Sequence, residues 1–86
     1  RIPFGSLVEL GIIKPGTTIF DNKKKISAKI MADGSIKHAK KEGSIHKVAA
    51  SILGAESCNG WTYWHYNLNG QIVPIDNLRQ RLISKN

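Results

Sequence analysis

The chain has 86 residues, of which 41% are hydrophobic and only one, Cys58, is a cysteine, and its formal net charge is +7. This length suits one domain with one small core, and a single cysteine excludes an internal disulfide. The single cysteine makes a reducing, cytoplasmic compartment the simpler interpretation. No apolar run approaches the ~20 residues that span a membrane, so no membrane partner is expected. Because the chain opens on Arg1 without an initiator methionine, we expect it to be part of a longer protein.

Positive charge is concentrated in the middle of the chain. Between Asn22 and Lys47 there are eight lysines and two carboxylates, a balance of +6 out of the total of +7. Counterion release favours a polyanionic partner for such a segment, and binding of this kind weakens steeply as salt rises. The alternative is a solvated face that keeps the protein soluble. Charge alone leaves both interpretations open, as it does the role of Lys23, Lys24 and Lys25.

The first half of the chain predicts a short helix followed by an antiparallel meander. Apolar residues in residues 1–10 share one helical face, and Gly11 is well placed to end the helix. Alternating patterns then predict three strands separated by polar turns, one of which contains the hairpin dipeptide Asp33-Gly34. The predicted strands are residues 17–20, 25–31 and 35–38, and residues 39–42 are predicted to be a charged connection.

The second half predicts two helices and a hairpin. Apolar residues from Ile45 recur at helical spacing, with Ser44 as the N-cap and Gly54 as the end. The inward stripe of this helix is predicted to be Ile45, Val48, Ala49, Ile52 and Leu53, and its solvent side His46, Lys47, Ala50 and Ser51. After a loop over residues 55–60, strands 61–67 and 71–73 form a hairpin through Asn69-Gly70, and residues 75–84 form a closing helix. Its inward residues are predicted to be Ile75, Leu78, Leu82 and Ile83, with Arg79 toward solvent.

The predicted fold is therefore a single α+β domain, a small antiparallel β-meander and hairpin packed with three short helices. Alternation along strand 61–67 places Trp64 and Tyr66 in the core and exposes Trp61, Tyr63 and His65 together on the other face. Such a surface would stack nucleobases, so we expect replacement of Trp61 by alanine to weaken DNA binding and leave the fold intact.

Catalytic and metal sites are not indicated by the sequence. The three histidines and Cys58 lack the paired close spacings of a zinc site, and Cys58 with His46 or His65 lacks a third orienting group. The six carboxylates are scattered, and neither a phosphate loop nor a dinucleotide fingerprint is present. We therefore predict a binding module with no catalytic residue, metal or cofactor of its own.

Several motifs together resemble a known family. The segment GSIHKVAASILGAESCNGWTYWH is followed by PIDNLR and preceded by SLVELGIIKPGTTIF and ADGS. From about Ile2 to Arg81 the chain resembles the C-terminal domain, called RAMA, of cell-cycle-regulated DNA adenine methyltransferases that recognise GANTC. The resemblance implies one DNA-binding domain over residues 1–86 of a bacterial, nucleoid-associated enzyme. Its upstream catalytic domain would bind S-adenosylmethionine and methylate the exocyclic amine of adenine. The family's Asp-Pro-Pro-Tyr and Phe-x-Gly-x-Gly motifs are absent here, so we expect no methyl transfer by this chain alone.

The resemblance also implies which residues contact DNA. Ser44, Asn59, Trp61 and Arg79 match family positions that contact DNA, and Lys47 and His46 lie beside Ser44 at the helix start. Ser44 and Lys47 would hold phosphate there, Asn59 would meet a base or sugar edge, Trp61 would stack or wedge, and Arg79 would pair with phosphate. From physical chemistry alone, Asn59-Gly60 is better explained as a turn in which Asn59 bonds its own backbone.

The leading hypothesis is an auxiliary DNA-binding and site-recognition domain that works with the catalytic domain of the same chain. One alternative is a RAMA module of another nuclease or helicase system. The other is a module that dimerises the enzyme through its Trp and Tyr face, which would make a second copy of the enzyme the partner.

Overall fold

Short segments of alternating apolar residues build one antiparallel sheet, and longer segments of helical period cover it. The computed structural model describes residues 2–84, so Arg1, part of the predicted first helix, lies outside them. In chain order the elements are α1 (Phe4–Glu9), β1 (Thr18–Phe20), β2 (Ser27–Ile30), β3 (Ile36–His38), β4 (Lys41–Gly43), α2 (Ile45–Leu53), α3 (Gly60–Tyr63), β5 (His65–Leu68), β6 (Gln71–Pro74) and α4 (Asp76–Ser84). The predicted α+β class is confirmed.

The six strands lie in the order β4-β3-β2-β1-β5-β6, and every neighbouring pair is antiparallel. Ile19 lies opposite Ala28, and Ile30 lies opposite Ile36. All four are buried, so they define the face that the helices cover. The meander β1 to β4 joins the hairpin β5–β6 through a single register pair, Phe20 with His65.

The core lies between this sheet face and the helices. Leu7 of α1, Val48 of α2 and Leu78 of α4 contribute to the same buried cluster as the sheet residues. Trp64, which follows α3, is fully buried, and its Nε1 donates a hydrogen bond to the Ile45 carbonyl at 3.0 Å. Elements from both ends of the described chain therefore share one core.

None of the helices between residues 2 and 84 combines the length and hydropathy of a transmembrane span.

Two predicted segments are wrong. Lys41–Gly43, predicted as a connection, is an edge strand paired with β3. Residues 61–63, predicted as the start of a strand after a loop that ends at Gly60, lie in the short helix Gly60–Tyr63, so the described residues hold four helices where three were predicted. Because successive side chains rotate by about 100° in a helix and by 180° in a strand, the predicted sidedness of Trp61 fails with it.

Three predicted burials also differ in the structure. Leu53 and Ile83 were placed inward but are 56% and 49% exposed, since both lie in the last turn of their helices, where neighbouring elements cover less of the side chain. Ala50 was placed on the solvent side and is buried. The remaining helices and strands lie where the sequence predicts them, most of them with shorter ends, while β6 is one residue longer and includes Pro74.

Candidate functional site

A cavity of about 660 Å³ lies at the end of the sheet that carries the turn between β2 and β3. Four of the six predicted DNA contacts line it: Ser44, His46, Trp61 and Arg79. They come from the start of α2, from α3 and from α4, which are separated by up to 35 positions along the chain. The fold thus gathers most of the predicted site around one opening.

The start of α2 supplies the first wall of the cavity. Ser44 has an extended backbone, and its Oγ accepts a hydrogen bond from the Lys47 backbone N–H at 3.0 Å, as predicted for an N-cap. Both residues are exposed. Lys47 does not line the cavity; it lies with Ser44, His46 and Cys58 along a neighbouring groove. Ser44 therefore borders both the cavity and the neighbouring groove, whereas Lys47 borders only the groove.

His46 is fixed by the start of α3. Its Nδ1 accepts a hydrogen bond from the Gly60 backbone N–H at 2.9 Å. A neutral imidazole that accepts at Nδ1 carries its proton on Nε2. The ring is exposed, and in this tautomer it presents an N–H donor at the edge of the cavity.

Gly60 allows α3 to approach α2 this closely. A Cβ at position 60 would lie 2.5 Å from the Ile45 carbonyl carbon and 2.8 Å from the His46 nitrogen. No side chain fits there without moving backbone atoms. The absence of a side chain is thus a condition for the His46 hydrogen bond and for the shape of this wall.

Trp61 is 5% exposed, so the predicted exposed aromatic face does not form. Its ring meets Phe4 edge to face, with centroids 5.9 Å apart and an interplanar angle of 67°. The Arg79 guanidinium carbon lies 4.5 Å from the Trp61 ring centroid, a cation–π contact. Trp61 thus forms the floor on which Arg79 rests, because the turn of α3 directs the ring inward.

Arg79 carries the positive charge of the cavity. Its Nη2 lies 2.6 Å from Asp76 Oδ1, but the N–H is poorly aimed, so the contact is an ion pair without hydrogen-bond geometry. The buried Arg79 Nε has no hydrogen-bond partner in the described residues. About a quarter of the side chain is exposed, so Arg79 is half-buried where it was predicted to face solvent. The Trp61 ring and the Asp76 carboxylate hold the Arg79 side chain, and its guanidinium retains N–H groups without a protein acceptor among the described residues.

Asn59 lies outside the cavity lining, one residue before α3. Its Oδ1 accepts a hydrogen bond from the Trp61 backbone N–H at 3.0 Å, which caps α3. This confirms the interpretation in which Asn59 bonds its own backbone. Since its Nδ2 meets no protein acceptor within residues 2–84, the amide still offers a donor beside the cavity.

Sequence reasoning missed the wall made by α1 and the turn between β2 and β3. Gly34 has a φ of +87°, and a Cβ there would lie 2.7 Å from Gly5 Cα. Gly5, Phe4 and Gly34 all line the cavity. The Asp33-Gly34 dipeptide predicts the turn, but no feature of a single sequence indicates that it touches a helix 29 positions earlier.

Comparison with known proteins assigns a family to this arrangement. The family described as Restriction Enzyme Adenine Methylase Associated, or RAMA, matches residues 1–86. The chain belongs to the RAMA family. This RAMA chain is also 30% identical over 79 residues to the type II methyltransferase M.HinfI of Haemophilus influenzae, an alignment that includes 92% of the chain and 22% of that enzyme. It spans about a fifth of the length of this relative.

Two further aromatic residues lie away from the cavity of the RAMA chain. Tyr63 is half-buried and meets Trp64 edge to face at 4.8 Å. Burial raises the pKa of the Tyr63 hydroxyl, and the carboxylate of Asp21 adds to the effect. His65 lies at the seam of the sheet, opposite Phe20. Neither residue shares a surface with Trp61.

Proposed function

We propose that this chain is the auxiliary DNA-binding and site-recognition domain of an S-adenosylmethionine-dependent DNA adenine methyltransferase. Membership of the RAMA family and 30% identity to a type II methyltransferase support a methyltransferase as the parent protein. The finer proposal is a cell-cycle-regulated enzyme that recognises GANTC at the bacterial nucleoid. In it, the catalytic domain of the same chain binds the cofactor and transfers the methyl group, while this domain contacts DNA.

The observation that carries the proposal is the convergence of donors on one cavity. Ser44 offers a hydroxyl, His46 an Nε2–H, and Arg79 the exposed part of its guanidinium. None of the described residues that line the cavity has a carboxylate. Phosphate oxygens and base edges are acceptors, so a lining of donors suits a nucleic acid.

The roles of the residues follow from their contacts. Arg79 is pre-positioned by Trp61, which lowers the side-chain entropy that phosphate pairing would otherwise cost. Ser44 and Lys47 hold phosphate at the start of α2, where backbone amides already favour an anion. Asn59 presents its amide to a base or sugar edge. Trp61 orients Arg79 and is too deeply buried to stack a base.

Arginine substitutions on α4 test the proposal. We expect Arg79→Gln to weaken binding of a fluorescently labelled GANTC duplex by about tenfold or more, as for loss of a charged hydrogen bond. Arg81→Gln removes the same charge from the same helix outside the cavity and should change affinity by no more than about threefold, the scale of an exposed charge contact. Fluorescence anisotropy measures both, and thermal melts confirm that the variants are folded. Equal effects of the two changes would assign binding to net charge and refute the cavity.

The alternatives have less support. Dimerisation through the Trp and Tyr face would require exposed tryptophan rings, but Trp61 and Trp64 are both buried. A nuclease or helicase as the parent protein is less well supported than a methyltransferase, because the relative that shares 30% identity is a methyltransferase.

A further inference from the structure

Seven lysines lie on the meander, away from the cavity: residues 23–25, Lys29, Lys37, Lys40 and Lys41, here called the lysine face. All seven are exposed. Lys29 lies directly opposite Lys37, and both alternate with buried residues, so they project from the sheet face that the helices leave uncovered. The proposed function does not use any of these residues.

The antiparallel order places residues 23–25, Lys40 and Lys41 at the opposite end of the strands from the cavity, while Lys29 and Lys37 lie between the two ends. The turn between β2 and β3, with Gly34, lies at the cavity. The turns that hold residues 23–25 and Lys40 precede β2 and follow β3, so both lie at the other end. From Gly34 to His38 the chain extends over four residues, about 13 Å at ~3.3 Å per residue. The lysine face and the cavity are therefore separate surfaces.

The charge of the lysine face is not neutralised within the protein. No lysine lies within 4.0 Å of a carboxylate among residues 2–84, where the one ion pair joins Arg79 and Asp76. Asp21 Oδ1 accepts the backbone N–H groups of Lys25 and Ile26 at 2.7 and 2.9 Å, so this carboxylate is bonded to the turn backbone and not to a lysine ammonium. Like charges directly opposite each other in a sheet are destabilising. Glu42 lies directly opposite Lys37 in the β3–β4 pair and offsets part of the repulsion between Lys29 and Lys37. With seven lysines and this one facing carboxylate, the lysine face keeps a strong net positive charge.

We propose that the lysine face binds the phosphate backbone of duplex DNA independently of its sequence, beside the segment that the cavity contacts. A lysine ammonium is a point charge on a flexible stem and lacks the planar fork that reads a base edge, so such contacts add affinity without selecting bases. A separation of about 13 Å corresponds to roughly four base pairs at ~3.4 Å per pair. The inference rests on the proposed function only for the location of the duplex.

The salt dependence of binding tests the lysine face. The 86-residue chain is suitable, because elements from both ends of it share one core. We expect Lys29→Gln with Lys37→Gln to lower affinity for a labelled 20-base-pair duplex at low salt by about tenfold. The slope of log affinity against log salt should fall by about 0.9 for each lost contact. The loss should be equal for GANTC and scrambled duplexes, with no decrease in melting temperature. The control is Lys14→Gln, which removes an exposed lysine at the cavity end of β1. It should leave the slope of log affinity against log salt unchanged.

Each outcome separates this inference from the proposed function. If the double variant behaves like Lys14→Gln, DNA binding by the lysine face is refuted, and the proposal that the cavity binds DNA is unaffected. If Arg79→Gln has no effect on DNA affinity but the double variant does, DNA binding at the cavity is refuted, and DNA binding by the lysine face is supported. Vesicles containing phosphatidylserine provide the remaining comparison. Tighter binding to these vesicles than to the duplex, lost in the double variant, would assign the lysine face to a membrane surface and overturn the inference.

Discussion

Trp61 joins the candidate site to the core, since one side of its ring meets Phe4 and Arg79 lies over its face. We expect Trp61→Ala to lower the free energy of unfolding by about 3–5 kcal/mol, the usual cost of removing a buried tryptophan. Trp61→Phe keeps an aromatic floor and should cost less. Urea denaturation followed by circular dichroism measures both, with the exposed Leu53→Ala as control.

This expectation replaces the sequence-based one, in which Trp61→Ala left the fold intact. The difference arises because Trp61 lies in a helical turn and is 5% exposed. An alanine variant with unchanged unfolding and weakened DNA binding would show that Trp61 contacts DNA directly.

Gly60 is the glycine at which an added Cβ would clash most closely with neighbouring backbone atoms. A Cβ there would lie 2.5 and 2.6 Å from the carbonyl carbon and oxygen of Ile45. We expect Gly60→Ala to separate α3 from α2, to lose the hydrogen bond to His46 and to lower the melting temperature. Gly5→Ala is the matched control, because its Cβ would meet Gly34 Cα at an ordinary 4.0 Å within a helix. That change should be neutral or stabilising by up to about 1 kcal/mol. Equal melting temperatures for the two variants would contradict the close approach.

At the scale of elements, the turn between β2 and β3 is held by Asp33. Its Oδ1 accepts from the Ser35 hydroxyl at 2.6 Å and from the Ser35 backbone N–H at 2.9 Å. These bonds, the hydroxyl first, lower the pKa of the Asp33 carboxyl from its ordinary 3.8. The contribution of Asp33 to stability is therefore fully present above about pH 3.8 and is lost as pH falls through the lowered pKa.

A carboxyl titration by NMR tests the cause of this shift. We expect Ser35→Ala to raise the pKa of Asp33 toward 3.8 without reaching it, because the backbone N–H still donates. Ser27→Ala, a change at an exposed serine in the neighbouring strand, should leave the pKa unchanged. An Asp33 pKa that does not respond to loss of the Ser35 hydroxyl would show that the turn is held differently.

The start of α2 combines a structural and a proposed binding role in Ser44. We expect Ser44→Ala to cost about 1 kcal/mol of unfolding free energy through loss of the cap, and Ser51→Ala, exposed later on the same helix, to cost less than half of that. Ser44→Asp keeps a capping oxygen but adds negative charge, so it should retain stability and weaken DNA binding. Parallel melts and anisotropy titrations separate the two roles. An aspartate variant that binds DNA as tightly as the original chain would remove Ser44 from the interface.

Periodicity predicted α2 and α4 because a helix of nine residues repeats its apolar face more than twice. It failed at Lys41–Gly43, where an edge strand without apolar residues has no pattern to detect. It also failed at Gly60–Tyr63, since four residues rich in aromatic side chains fit a strand as well as a helical turn. The cap by Asn59 decides between them, and it is visible only in the structure.

At the scale of the whole molecule, the sequence and its family resemblance supplied four of the residues that line the cavity, but neither the α1 wall nor the depth of Trp61. Ser44, His46 and Arg79 line the cavity as a group, and Trp61 lies beneath Arg79. This relation depends on contacts between α3 and α4, which are far apart in sequence and carry no shared pattern. The burial of Trp61 changes its proposed role: its ring supports the Arg79 guanidinium and does not stack on a nucleobase.

The sheet consists of a meander and a hairpin that share one register pair, so their cooperation depends on the core. Trp64 precedes the hairpin and bonds it to α2 and to the residue after β6: its Nε1 donates to the Ile45 carbonyl at 3.0 Å, and its own carbonyl accepts from the Ile75 N–H at 2.9 Å. We expect one unfolding transition, with tryptophan fluorescence and far-ultraviolet circular dichroism giving the same urea midpoint. Trp64→Phe should lower that midpoint, since it removes a buried hydrogen bond and leaves space where the larger indole packs. If the two signals separated in the original chain, the hairpin would unfold independently of the meander.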